Sequence, residues 1–128
     1  MKLLLDTHVF LWWYGERAKL SPKVLALCED VTNDLYLSLA SLWEIQIKLQ
    51  IGKLKLSDPL DQILAYELHI NSLKLLPIHA THIYGLANLP AHHRDPFDRI
   101  LIAQAQVESL TLLTQDTLIT QYPIVTIW

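Results

Sequence analysis

Thirteen carboxylates are spread along the sequence, and five of them stand where an acid could do chemistry instead of solvating a surface. Asp6 ends the apolar run Leu3 to Leu5, and Asp116 follows a second such run, Leu110 to Leu113. Runs this short and this apolar read as strands buried on both faces. In a parallel sheet both acids then fall at the carboxyl edge, where open α/β sheets bind ligands. Asp98 opens a helix leading into the second run, Glu44 lies near the start of a helix that follows another strand, and Asp95 precedes Asp98 in a polar loop. Carboxylates converging on one edge repel each other unless a divalent cation lies among them. Oxygen donors select hard cations, so Mg²⁺ or Mn²⁺ is expected in preference to zinc. Such an ion activates water and stabilises the charge that develops in a phosphodiester displacement. The set therefore points to metal-dependent phosphodiester hydrolysis, with Asp6, Asp98 and Asp116 holding one or two ions and Glu44 orienting ion or water.

Each acid also has a purely structural alternative. Asp6 could cap the helix that follows it, and Asp116 could cap a short turn from Thr117. Glu44 stands three residues after Ser41, a capping-box spacing, and four before Lys48, a helix ion-pair spacing. Asp98 could be a cap or a favourable first-turn charge. The remaining eight acids lie in turns, at helix ends or on polar faces. Among other polar residues, Lys53 and Lys55 with Arg94 and Arg99 form the one plausible phosphate-binding patch. Ser38 and Thr114 lie near strand ends, where a hydroxyl could hold water. His92 and His93 lie in the loop before Asp95, where they could touch substrate but read more simply as exposed loop polarity, and His79 and His82 have helical spacing but no third ligand nearby and read as surface or partly buried histidines.

The elements that must position these acids follow from periodicity and punctuation. Thr7 can cap a helix from about His8 to Tyr14, ended by Gly15, and Ser21-Pro22 opens a second helix reaching about Asp30. Leu35 to Leu37 reads as a strand. Leu42, Ile45 and Leu49 mark a helix from Ala40 to about Ile51, closed by Gly52. Asp58-Pro59 opens another to about Ile70, Leu73 to Pro77 is a strand, and His79 to Leu89 is helical. Asp98 starts a helix to about Ser109, Thr111 to Thr114 is a strand, and Ile124 to Ile127 is the last. Strands alternate with helices without repeats or linkers, so residues 1–128 are expected to form one α/β domain: a central, mostly parallel five-stranded sheet flanked by helices.

Bulk properties exclude several classes. Three glycines, Gly15, Gly52 and Gly85, leave no glycine-rich phosphate loop or dinucleotide fingerprint. Asp6 lacks a second Asp two residues on, as an aspartyl-phosphate phosphatase would need, and no Gly-x-Ser-x-Gly elbow occurs. A net charge of −3 argues against holding nucleic acid by overall basicity. Cys28 is the single cysteine, which fits a reducing cytoplasm. Asp6 interrupts the first apolar run too early for a signal peptide, and no run approaches a membrane span, so a cytoplasmic protein is expected. Hydrophobic residues make up 52% of the chain, enough to leave apolar surface, including Phe10, Trp12, Trp13 and Tyr14, for a partner or simply for the core.

Four segments carry a resemblance: LLLDTHVFLW, SLASLWEIQIKLQIGKL, HRDPFDRILIAQA and LLTQD. In this order they resemble PIN-domain ribonucleases, and most of all the VapC-type toxins of toxin–antitoxin pairs. The resemblance spans essentially the whole chain. It implies a PIN-like fold, a homodimer, RNA cleavage with Mg²⁺ or Mn²⁺, and a cognate antitoxin that masks the site. The four acids of the family motif fall on Asp6, Glu44, Asp98 and Asp116, with Asp95 an additional acid of this branch. The competing expectation is a catalytically silent module of the same fold whose acidic cleft binds a basic peptide.

Overall fold

The computed structural model describes residues 1–128. Strand β1 (Lys2–Leu5) leads into helix α1 (Thr7–Gly15), and α2 (Pro22–Glu29) into β2 (Asp34–Ser38) and α3 (Leu39–Gln50). Helix α4 (Leu60–Ile70), β3 (Lys74–Leu76), α5 (Ala80–Gly85) and α6 (Pro96–Glu108) follow, and β4 (Thr111–Leu113) and β5 (Thr126–Ile127) complete the sheet. The strand order is β3-β2-β1-β4-β5, with every pair parallel. The five-stranded sheet is thus wholly parallel. Chain order runs outward from β1 in both directions, so the crevice at its carboxyl end is a topological switch point.

Strand β1 shows why the first apolar run has no polar face. Leu3 and Leu5 pack with Phe10 and Trp13 of α1, Val24 of α2, Ile45 of α3 and Ile63 of α4, while Leu4 packs with Leu101 and Ile102 of α6. Successive side chains of a strand point to opposite faces, and here both faces are covered by helices. The aromatic stripe divides: Phe10 and Trp13 are buried in the core, whereas Trp12 and Tyr14 are only partly covered.

The helix starts differ in detail from the sequence expectation, and the differences bear on the site. Helix α1 is capped by Asp6, not Thr7: the Asp6 side chain accepts from Thr7 N. Helix α3 begins at Leu39, capped by Ser38, so Ser41 lies inside it and forms no capping box with Glu44. Helix α6 begins at Pro96, two residues before the expected start at Asp98, because Asp95 is the cap and proline suits the first helical position. Asp98 is left in the first turn with its carboxylate free of capping duty. The expected helix from His79 to Leu89 divides into α5 and a 3-10 turn, Leu86–Asn88. Gly52 takes φ +74 just past α3, the left-handed conformation that ends helices at little cost. No helix is long and apolar enough to cross a membrane.

Candidate active site

Four elements bring five acids to the carboxyl edge of the sheet, around a cleft of about 400 Å³ lined by Asp6, Glu44, Lys48, Asp95, Asp98 and Asp116. Asp6 is 7% exposed. Its Oδ1 accepts from Thr7 N at 2.7 Å and its Oδ2 from Thr114 Oγ1 at 2.7 Å. Each oxygen keeps a lone pair for another partner. Burial raises its carboxyl above the ordinary carboxylate range, and the Thr114 hydroxyl works against that rise. The cap and the candidate ligand are therefore one residue.

Glu44, in the second turn of α3, is 6% exposed and held from two sides. The Thr7 hydroxyl donates to its Oε1 at 2.8 Å, and Lys48 Nζ pairs with its Oε2 at 2.9 Å. The ion-pair spacing expected from sequence is thus used inside the cleft. Asp98 carries the largest perturbation of the five: burial, followed by the charges of Asp6 and Asp95, pushes its carboxyl up to about 7. Asp95 itself accepts from Phe97 N at 2.8 Å and Asp98 N at 3.3 Å, so it lines the cleft while capping α6.

Thr114 links the two strand-end acids. While donating to Asp6, its hydroxyl accepts from Asp116 N at 3.1 Å. Asp116 Oδ1 in turn accepts from Leu118 N at 2.9 Å, the turn-capping role read from sequence, while Oδ2 faces His93 Nε2 at 2.9 Å. The same ring nitrogen lies 3.0 Å from Asp98 Oδ2. His93, Asp98 and Asp116 thereby bring three donor atoms within 4.8 Å of one another.

His93, read from sequence as loop polarity or a substrate contact, is the residue that sequence reasoning did not place among the acids. The histidine belongs to a loop, and only the pins on that loop place its ring. Tyr122 Oη accepts from His93 N at 2.8 Å and donates to Pro90 O at 2.7 Å. Arg99 Nη1 donates to Pro90 O at 2.9 Å and to His93 O at 3.3 Å. Arg99 is thus engaged with the loop, while Arg94 and Lys53 are exposed and do not line the cleft. Ser38 is fully buried as the cap of α3. His82, expected at the surface or partly buried, is fully buried away from the cleft, with Nε2 2.8 Å from Glu108 Oε1.

Residues 3–124 match the PIN domain family model. The chain belongs to the PIN-domain family. No curated protein matches it in sequence. Among solved structures, this PIN domain is similar to a chain of VapBC2 from Rickettsia felis bound to a promoter DNA fragment, with TM-score 0.73 and 17% identity over 99% of this chain and 98% of that one. It is also similar to a chain of FitAcB from Neisseria gonorrhoeae, with TM-score 0.67 and 21% identity over 98% and 96% of the two chains. A DNA-bound VapBC from Salmonella typhimurium gives TM-score 0.68 and 17% identity over 100% and 97%. At these identities the likeness is one of fold.

The Tyr122 pin makes a testable contribution to the PIN domain. Tyr122→Phe removes the hydroxyl that accepts from His93 N and donates to Pro90 O, and is expected to cost about 1–3 kcal/mol. Urea unfolding of the two proteins measures it, with a shifted midpoint and an unchanged slope as the expected result.

Proposed function

We propose that this PIN domain is a VapC-type toxin, an endoribonuclease that hydrolyses RNA phosphodiester bonds with Mg²⁺ or Mn²⁺. One observation carries the reading: Asp6, Glu44, Asp98 and Asp116, from four separate elements, converge on a single cleft at the switch point of the sheet. The four acids offer oxygen alone, and burial together with the charges of Asp6 and Asp95 raises Asp98, a strain that a cation among them would relieve, so the donor set fits a hard divalent ion. When bound, the ion supplies activation of water and stabilisation of charge on the phosphoryl group.

The chain's own residues have separate parts in this reading. Asp6, Asp98 and Asp116 hold the ion, and Thr114 keeps the first and last of these in register. Glu44, clamped by Thr7 and Lys48, orients ion or water. Lys48 is the cation within the cleft that can meet a phosphate, with Arg94 and Lys53 further out as contacts to the strand. PIN domains are generally nucleases, and the similar solved chains come from VapBC and FitAB assemblies, which supports a cognate antitoxin as partner. A homodimer in the cytoplasm completes the proposal.

The experiment is cleavage of total RNA by protein stripped of any co-purifying partner, with Mg²⁺, with Mn²⁺ and with chelator. Cleavage that requires the ion and is suppressed by a small protein encoded next to this one is the expected result. Intact RNA under every condition would replace the nuclease with the alternative, an acidic cleft that binds a basic peptide.

A further inference from the structure

The three donor atoms of His93, Asp98 and Asp116 look at first like a ligand set. Nε2 lies 2.9 Å from Asp116 Oδ2 and 3.0 Å from Asp98 Oδ2. Neighbouring ligands of an octahedral ion with bonds near 2.1 Å are about 3 Å apart, so the spacing alone admits a coordinated imidazole. The other ring nitrogen decides against it. Asp95 N donates to His93 Nδ1 at 3.1 Å, so Nδ1 carries a lone pair and the proton of the neutral ring sits on Nε2. Metal-bound histidines show the reverse pattern, with the distal N–H donating to an acceptor. Coordination through Nε2 would move the proton to Nδ1, where it would face the Asp95 amide proton.

The geometry points to His93 as a positioning residue: an Nε2–H donor, fixed in that tautomer by the Asp95 amide, that holds Asp98 and Asp116 together and is not a ligand of the cation. This inference rests on the proposed metal site only for its effect on ion affinity. The tautomer and the contacts belong to the protein alone. Three further contacts keep the ring from turning away. His93 N is bonded to Tyr122 Oη, His93 O to Arg99 Nη1, and Asp95, whose amide sets the tautomer, is itself anchored as the cap of α6. The ring nitrogen thus occupies a fixed point between an acid from α6 and an acid from the segment after β4. Without it, two acids on different elements have no shared donor and separate.

Two measurements test this, at one fixed pH. Long-range ¹H–¹⁵N NMR on the wild-type protein reads the tautomer directly. Protonated Nε2 and unprotonated Nδ1 are expected both without ion and in saturating Mg²⁺, and loss of the Nε2 proton on adding Mg²⁺ would overturn the inference. Calorimetric titration with Mg²⁺ and Mn²⁺ then compares wild type, His93→Ala and His93→Gln. A positioning role weakens both ions in His93→Ala by the same factor, about tenfold or more, as for residues that support metal ligands. The amide donor of His93→Gln restores most of that loss. A ligand role would instead weaken Mn²⁺ selectively, because a nitrogen donor favours it over Mg²⁺. If the wild type binds neither ion, the metal-site reading fails by itself, and the tautomer in the free protein decides the role of His93.

Discussion

Asp6→Asn is expected to abolish RNA cleavage, by on the order of 10³-fold, while leaving the protein at least as stable as the wild type in the absence of divalent ions. The two halves of this outcome come from the same carboxylate. Asparagine caps a helix as well as aspartate does, so Oδ1 still accepts from Thr7 N. The amide nitrogen that replaces Oδ2 can donate to Thr114 Oγ1, which has lone pairs for this bond and for the one from Asp116 N. What disappears is a charge whose burial is unfavourable, together with an anionic ligand for the ion. RNA cleavage in Mn²⁺ and thermal melting in chelator measure the two effects. Cleavage retained to within a factor of about ten would remove Asp6 from the proposed mechanism.

Metal-free protein is expected to lose stability as the pH rises, and a divalent ion to restore it at the alkaline end. Asp98 has its carboxyl at about 7 in the folded protein against 3.8 ordinarily. Between those values the folded state keeps a proton that the unfolded chain has released, so stability falls as pH climbs through that window and the loss is complete above about 7. Mg²⁺ binds the deprotonated acids, so its stabilising effect should be larger near pH 8 than near pH 5. Melting temperatures at both pH values, with and without the ion, measure this, and differences of about a few degrees are expected. Asp98→Asn removes the titrating group and should flatten both dependences. An ion effect that is equal at the two pH values, or unchanged in Asp98→Asn, would contradict the placement of Asp98 beside the ion.

The strand-end acids were legible in the sequence for a local reason. A buried parallel strand has no polar face, so Leu3 to Leu5 and Leu110 to Leu113 end visibly where the first polar residue stands. In the sheet Leu5 pairs with Leu113, after which Asp6 comes at once and Asp116 three residues on. Glu44 was legible from its place near the start of the helix after the second strand, while its spacing to Lys48 announced the ion pair and spoke equally for a structural role. The start of α6 was not, because Asp95 and Asp98 are both good caps and only the accepted bonds from Phe97 N and Asp98 N distinguish them. His93 was out of reach for a different reason: its backbone is pinned by Tyr122, 29 residues further along the chain, and its ring meets Asp116, 23 residues on. The expected helix after His79 divides at Gly85, where the chain passes close to Ala103 and Val107 of α6.

The hydrogen bond from Thr114 to Asp6 joins residues 108 positions apart, and that separation governs when during synthesis the acidic cleft can be completed. A chain on the ribosome that has emerged only as far as α6 already contains Asp6, Glu44, His93 and Asp98. Its β1 still has an unpaired edge on the side where β4 will dock, Asp6 lacks the Thr114 hydroxyl, and His93 lacks Asp116. Contacts of such long range form late, since loop closure must precede the contacts that reward it. Nascent and truncated chains therefore lack the complete acidic cleft until β4 and the segment after it have emerged.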